Sequence, residues 1–280
     1  MGQVTTVKRA GSRFYVDRDK PLVTVPGVTS VIGMGPKPFL QFWSAKMAAE
    51  LAVDSIDFVK EMASRDRQGA IDYIKGAATR YTKTRANVGS DAHDLFERMI
   101  RGEYIGRVHP DLEPYRRHFA EFLAAVNPEL VRAEDVAWSD EHQYAGSFDA
   151  LLRVWVNDDR TVDPTRKTGE PITVVADWKT SKGTYPDVAL QMSAYAHADR
   201  LIDPNGVSEP FPEVDGGVVL HITPDRWEFK PVDISDEVFA YFLALRKTFE
   251  WDRDVSKRVL GKPLAESGGA LVTGTQRRAK

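Results

Sequence analysis

Two segments of the sequence carry acidic and basic side chains that could act together. Asp177, Trp178 and Lys179 end an apolar run that begins at Ile172, and Asp149 lies in an earlier run with strand character. Because side chains alternate along a strand, Asp177 and Lys179 share one face while Trp178 points to the other. Charged groups at the end of a buried strand are costly unless they are paired or bind a metal. This strand end is therefore a candidate reactive site.

The charged groups favour metal-dependent chemistry. If the strands around 148–152 and 175–179 pair, Asp149 and Asp177 can bind one hard divalent cation such as Mg²⁺ or Mn²⁺. Such an ion polarises a phosphoryl oxygen and lowers the pKa of a bound water, and Lys179 could orient or deprotonate that water. This set fits phosphodiester hydrolysis. The alternative is a structural ion pair between Asp177 and Lys179, since the three-residue pattern is common by chance.

Composition limits the class of protein. The 280 residues are 42% hydrophobic and 28% charged, which fits one large globular domain, and no composition break requires a second one. The chain has no cysteine, so a disulfide, a thiolate zinc site and a cysteine-held iron–sulfur cluster are excluded. The first residues lack a signal-peptide pattern, and no run approaches the roughly 20 apolar residues that cross a bilayer. We expect a cytoplasmic location and no membrane partner.

The hydrophobic periodicity predicts helices first and a sheet afterwards. Apolar residues at three- and four-residue spacing predict helices over 39–51, 68–85, 89–101 and 111–125, with Gly89, Ser90 and Asp91 opening the third. Runs rich in Val, Ile and Trp predict a three-stranded meander over 130–138, 144–156 and 172–179, with a long polar hairpin loop over 157–171.

The remaining pattern predicts a helix over 186–201, strands over 217–222 and 227–232, and an amphipathic helix over 235–251. A single α/β domain over 1–280 follows, with a mainly helical part over 1–128 and an α/β core over 129–254. Residues 255–280 are expected to form a basic, flexible tail.

Net charge gives no general attraction to nucleic acid, because 38 basic residues face 41 acidic ones, a formal charge of −3. DNA binding would depend on local patches. Segment 75–85 carries Lys75, Arg80, Lys83 and Arg85 with no acid, and the tail from Lys257 has six basic residues against Glu266 alone. The alternative is that both are ordinary solvated surfaces.

Three short blocks resemble a known family. Gly146-Ser147-Phe148-Asp149, then Asp177-Trp178-Lys179-Thr180, then Gln191 and Tyr195 match in order the GxxD, DxKT and QxxxY blocks of the RecB-like branch of the PD-(D/E)XK nuclease superfamily. His93 matches that branch's upstream helical histidine, and residues 27–50 are similar to the start of phage-type members. The resemblance covers roughly 25–250. The loop 157–171 is longer than usual, and the iron–sulfur cysteines of CRISPR-adaptation relatives are absent.

This resemblance implies a restriction-endonuclease-like central mixed sheet flanked by helices, with an N-terminal helical layer. It implies a metal-dependent exonuclease that hydrolyses DNA at its ends, in phage or bacterial recombination, repair or replication, in the cytosol of a bacterial host. The expected partners are a DNA end or single strand and, as a further candidate, a single-strand annealing or replication protein. The basic segment 75–85 would guide the strand.

The resemblance also assigns roles to residues. The implied catalytic residues are Asp149, Asp177, Lys179, Gln191 and Tyr195. The implied ligands of one or two Mg²⁺ or Mn²⁺ ions are His93, Asp149, Asp177 and the backbone carbonyl of Trp178.

Other acidic and imidazole side chains are weaker candidates. Glu134 could support the site from the strand before Asp149, although a strand glutamate more often faces solvent. Asp91, Asp94 and Glu97 crowd the helix of His93. The remaining histidines show no ligand spacing and are expected to have no catalytic role: His109, His118, His142, His197 and His221.

Two other functions stay open at this stage. The first is a DNA-end-binding recombination accessory protein that kept the fold and lost the chemistry. The second is a metal hydrolase acting on a small phosphate ester.

Overall fold

A computed structural model describes residues 4–18, 23–265 and 267. Those residues form a mixed α/β structure with twelve strands in three sheets and eight α-helices. The predicted α/β class is therefore confirmed. Residues 266 and 268–280 of the predicted basic tail lie outside the described part.

The central sheet has five strands in the order β12-β11-β8-β7-β4. Only β11 and β8 run parallel, and the other neighbours are antiparallel. The five strands are β4 (Glu129–Ala133), β7 (Ala150–Val156), β8 (Glu170–Lys179), β11 (Gly216–Ile222) and β12 (Trp227–Val232). Helix α7 (Asp187–Ala196) connects β8 to β11, because parallel neighbours need a crossover.

Helices cover both faces of this sheet. On one face α5 (Ala77–Ile100) and α6 (Glu113–Val126) pack phenylalanines such as Phe119 against Trp178. On the other, α1 (Val28–Ile32), α7 and α8 (Asp236–Arg253) enclose a second core that contains Val175. The alternation along β8 thus turns Trp178 toward α6 and Asp177 toward α7, as the sequence predicts.

The predicted antiparallel meander is confirmed, since β4 pairs with β7 and β7 pairs with β8. The predicted extent of its first two strands is wrong, because together they form a long bent hairpin that contributes to two sheets. The run 130–138 divides into β4 and β5 (Val136–Ser139), and the run 144–156 divides into β6 (Tyr144–Ser147) and β7. Strands β5 and β6 belong to a second sheet with β9 (Arg200–Ile202) and β10 (Ser208–Pro210), in the order β10-β9-β5-β6.

The bend of this hairpin lies at Glu134 and Asp149. Glu134 adopts a left-handed conformation, with φ of 61°. Its N–H donates to the Asp149 carbonyl at 3.3 Å, and the Phe148 N–H donates to the Asp135 carbonyl at 3.2 Å. A non-glycine residue at positive φ changes the direction of a strand. The apolar pattern alone does not predict such a bend.

The N-terminal part is helical but begins with a sheet that the sequence analysis missed. Its strands are β1 (Val4–Arg9), β2 (Ser12–Asp17) and β3 (Thr24–Pro26). The helices that follow α1 are α2 (Pro38–Asp54), α3 (Ile56–Arg65), α4 (Arg67–Lys75) and α5.

The predicted helix boundaries in this part are partly wrong. The stretch 68–85 is interrupted at Gly76, whereas Gly89 opens no new helix because α5 runs continuously from Ala77 to Ile100. A Cβ on Gly89 would approach the Thr180 hydroxyl oxygen to 3.2 Å. This glycine therefore marks a close approach of α5 to the end of β8 rather than a cap.

The C-terminal elements match their predicted positions closely. Strands β11 and β12 and helix α8 lie where the pattern predicts them, but the predicted helix 186–201 ends at Ala196 and is followed by β9. Among the described residues, no helix combines the length and the apolar character needed to cross a membrane.

Candidate functional site

The structure brings Asp149 and Asp177 to neighbouring positions at one end of the central sheet. Strands β7 and β8 pair with Ala150 opposite Ala176, so one further step in this register places Asp149 opposite Asp177. Directly opposite residues of an antiparallel pair project to the same face. Asp149 and Asp177 are therefore close enough for their charges to interact, while their role as shared ligands of a cation stays a prediction.

The ladder between β7 and β8 opens at this point. The Trp178 N–H donates to Asp149 Oδ2 at 2.6 Å, in place of a main-chain partner. Because N–H and C=O of one strand residue point to the same neighbouring strand, the Trp178 carbonyl is directed to the side on which Asp149 lies. The predicted backbone ligand thus faces the carboxylates.

Asp177 is buried, with 2% of its surface exposed, and lies in a network of polar side chains. Lys179 Nζ lies 2.5 Å from Asp177 Oδ2, and the Gln191 amide donates to Asp177 Oδ1 at 3.0 Å. The Lys179 ammonium also donates to Gln191 Oε1 at 3.3 Å. Gln191 therefore fixes both the acid and the base of this strand.

Tyr195 supports Gln191 from one helical turn further along α7. The Gln191 amide donates to the Tyr195 hydroxyl at 3.1 Å, and the tyrosine side chain is buried. The spacing of four residues places both on one helix face, as the sequence predicts. Burial raises the pKa of Tyr195 well above its ordinary value, so the phenol stays protonated.

His93 reaches the site from α5. Its Nδ1 lies 3.3 Å from Asp149 Oδ1, and 30% of its side chain is exposed. Burial alone would lower the pKa of His93, but the hydrogen bond and negative charge of Asp149 outweigh it and raise this pKa. His93 therefore contacts a predicted metal ligand directly, a position that suits a ligand or a group that orients Asp149.

Glu134 belongs to the same cluster, which the sequence analysis only weakly suggested. It is half-buried at the bend of the hairpin rather than within a strand. Burial, together with the charges of Asp149 and Glu97, raises the pKa of Glu134 to about 7. Its only sequence signal is an acidic pair, Glu134-Asp135, that interrupts an apolar run.

The charges of the two central aspartates affect each other. Burial raises the pKa of Asp177 and the charge of Asp149 raises it further, whereas Lys179 acts in the opposite direction. Asp177 Oδ2 lies against the Lys179 ammonium, which is the partner of this buried oxygen. A cation bound at Asp177 would therefore share this carboxylate with Lys179.

Few side-chain donors are available for a metal ion at this site. Within the described residues no three His, Cys, Asp or Glu side chains are grouped as ligands of one metal ion. Mg²⁺ usually takes one or two carboxylates and keeps several waters, which a substrate phosphate replaces. Asp149, Asp177 and the Trp178 carbonyl stay the predicted donors for such an ion.

Other predicted residues lie outside this cluster. Lys75, Arg80, Lys83 and Arg85 are exposed on α4 and the first half of α5. Arg80 donates to the Tyr73 carbonyl at 2.7 Å, so part of the basic patch also has a structural role.

The histidines given no catalytic role have partners of their own. His118 is buried beside Glu121, and His197 contacts Asp236. His221 contacts the Ser181 carbonyl at 2.6 Å and thereby holds the segment that follows Lys179.

Neither a scan against protein-family models nor a search of curated proteins finds a match for this chain.

Proposed function

We propose that this chain is a Mg²⁺- or Mn²⁺-dependent deoxyribonuclease of the PD-(D/E)XK superfamily, with a restriction-endonuclease-like core. One observation carries the proposal. Asp149, Asp177 and Lys179 converge where the β7–β8 ladder opens, and Gln191 and Tyr195 from α7 complete a connected polar network. A structural ion pair between Asp177 and Lys179 would not require the second carboxylate, Asp149, whose nearby charge raises the pKa of Asp177.

The residues that would hold the metal are Asp149, Asp177 and the Trp178 carbonyl, with His93 as a fourth candidate. When bound, the ion polarises the phosphoryl oxygen and lowers the pKa of the attacking water. Asp149 is held for this role by the Trp178 N–H and by His93. The burial of Asp177 excludes water from one side of the site.

Lys179 is the group that would act on the water and the phosphate. Its ammonium is held by Asp177 and Gln191, which restricts where its charge can lie. From this position it can orient the attacking water and stabilise negative charge that develops on the phosphate oxygens. The Tyr195 hydroxyl keeps Gln191 in place through the contact described above.

The expected substrate is a DNA end rather than a specific sequence. The basic residues of α4 and α5 suit phosphate contacts, which position a strand without reading its bases. We therefore propose an exonuclease of recombination, repair or replication, with a single-strand annealing or replication protein as a candidate partner. A phage gene in a bacterial cytosol remains the setting that the motif resemblance suggests.

The test is cleavage of DNA labelled at the 5′ or the 3′ end, single- and double-stranded, with Mg²⁺ or with EDTA. We expect Mg²⁺-dependent loss of label in the wild type. Asp177→Asn should reduce cleavage to background, and Lys179→Ala should slow it by roughly 10²–10⁴-fold, the range of general acid–base catalysis. Lys247→Ala, on an exposed lysine of α8, is the control and should cleave at the wild-type rate.

Both site variants should keep the wild-type circular dichroism spectrum. Wild-type cleavage by either variant would disprove the assignment. The two differently labelled ends also give the polarity of digestion.

A DNA-end-binding accessory protein without cleavage is the second candidate. The observation that favours it is the close Lys179–Asp177 ion pair together with the small number of side-chain ligands in the described residues. Addition of Mg²⁺ to the preformed complex distinguishes the two, because only a nuclease converts binding into cleavage.

A further inference from the structure

Two aromatic rings stack on the surface next to the candidate site. Phe39, at the start of α2, and Tyr185, in the segment between β8 and α7, have ring centroids 6.3 Å apart and planes inclined by 14°. The residues are 53% and 54% exposed. Aromatic side chains usually contribute to stability by being buried in a core, and these two rings are half exposed. A stacked, exposed aromatic pair therefore suggests a surface that binds a ligand.

Tyr185 of this pair lines a cavity that extends to the candidate catalytic lysine. This cavity has a volume of about 180 Å³ and is lined by Tyr185, Lys179 and Gln191, among others. Lys37 and Asp187 also line it and form an ion pair of 2.8 Å with each other. Pockets for drug-sized ligands measure roughly 300–1,000 Å³, so this cavity accepts a group no larger than about one unpaired base.

The surface beside this cavity is suited to a polyanion. Helix α5 approaches the end of β8 at Gly89 and Thr180, and its first half carries Arg80, Lys83 and Arg85 without an acidic residue. At 1.5 Å of rise per residue, Arg85 lies roughly 12 Å along the helix axis from His93. The basic residues therefore lie on the same helix that reaches the candidate site through His93.

We infer that Tyr185, supported by Phe39, stacks on an unpaired base at the end of a single DNA strand while the adjoining phosphate lies at the Lys179 ammonium, which lines the same cavity. This inference rests on the proposed nuclease function and specifies its substrate as a single-stranded end. Stacking on an aromatic ring accepts every base, since each has a π-face, so no sequence preference follows. A duplex end would need its terminal pair to open before a base enters the cavity.

The test measures binding separately from cleavage. Affinity of the full chain for a short, internally labelled single strand is measured by fluorescence anisotropy in EDTA. A second strand has abasic sites at both terminal positions. Tyr185→Ala combined with Phe39→Ala should weaken binding of the normal strand by about 5-fold to 150-fold, the range for loss of one stacked base.

The same double variant should bind the abasic strand as the wild type does, because no base remains to stack. Tyr185→Phe keeps the ring and should bind both strands like the wild type. Tyr241→Ala removes a similarly exposed aromatic residue on α8 and is the matched control.

Each contrary result has a separate meaning. Equal losses on normal and abasic strands, or no loss on either, would overturn the stacking inference even if Mg²⁺-dependent cleavage is found. Absence of such cleavage in the wild type, with the base-dependent binding loss present, would instead refute the nuclease proposal and leave a strand-end binding protein.

Discussion

Gln191 makes three polar contacts at the candidate site, and no other side chain there links as many of the predicted residues. It contacts Asp177, Lys179 and Tyr195 at 3.0 Å, 3.3 Å and 3.1 Å. An amide can donate and accept at once, which is why one glutamine can serve both a carboxylate and an ammonium. Its proposed role is to position the two charged groups rather than to react.

Loss of Gln191 should therefore affect the metal requirement as well as the rate. We expect Gln191→Ala to reduce cleavage by about 10-fold to 100-fold, as outer-shell substitutions commonly do, and to raise the Mg²⁺ concentration at half-maximal rate. Tyr195→Phe, which keeps the buried ring, should have the smaller effect. An unchanged Mg²⁺ dependence in Gln191→Ala would show that this residue does not position the metal ligands.

The buried carboxyl of Asp135 should make the stability of the protein depend on pH. This side chain is 3% exposed and its Oδ2 lacks a hydrogen-bond donor among the described residues. Burial raises the pKa of Asp135 from 3.8 to about 6. A carboxyl with a raised pKa in the folded state holds its proton more tightly there than in the unfolded chain. The free energy of unfolding of the wild type should therefore fall as pH rises from about 4 through 6.

Asp135→Asn removes this pH-dependent cost. The free energy of unfolding of the variant minus that of the wild type should therefore increase between pH 4 and pH 8. At 1.36 kcal/mol per pKa unit, the increase should be at most about 3 kcal/mol. Urea unfolding at a series of pH values measures the difference. A difference independent of pH would contradict the raised pKa of Asp135.

The candidate site depends on how the bent hairpin packs against helices α1 and α7. Gly146 lies in β6, where a Cβ would come within 2.8 Å of the Tyr195 ring and 3.0 Å of Val28. The glycine of the GxxD block is therefore required by close packing rather than by turn geometry. This packing connects the hairpin that carries Asp149 to the helix that carries Gln191.

Gly146→Ala should destabilise the protein by about 1–3 kcal/mol, the usual cost of overpacking, and should lower cleavage by displacing Tyr195. Gly216→Ala is the matched control, because a Cβ there meets nothing within 4 Å. Thermal unfolding and cleavage rates of the two variants provide the comparison. Equal midpoints of thermal unfolding for the two variants would contradict this prediction, because the Tyr195 ring would then move aside without a loss of stability.

The proposed binding of DNA by a chain with net negative charge requires an uneven distribution of charge over the whole molecule. The formal charge is −3, yet the surface of α4 and the first half of α5 is basic. Phosphate contacts release counterions, so each one adds to the salt dependence of binding. The number of contacts can therefore be measured without a structure of the complex.

Lys75→Gln combined with Lys83→Gln should make the salt dependence of single-strand binding less steep. The slope of log Kd against log salt should decrease by up to about 1.4, or roughly 0.7 for each contact. Lys247→Gln on α8 should leave the slope unchanged. Wild-type slopes in the double variant would place the DNA on another surface.

The sequence predicted the parts of the site that depend on local periodicity. Alternation along a strand was enough to place Asp177 beside Lys179, with Trp178 facing the opposite core. A helical spacing of four was enough to place Gln191 next to Tyr195. These relations follow from the backbone geometry of a few adjacent residues, so they hold wherever the element lies in the fold.

The contacts between segments that are distant in the chain could not be predicted from the local sequence. The division of the hairpin between two sheets at Glu134, the continuous α5 through Gly89, and the contact of His93 with Asp149 all depend on residues far apart in the chain. A left-handed residue and a glycine packed against Thr180 have no periodic signature, because their conformations are selected by neighbours that the local sequence does not contain.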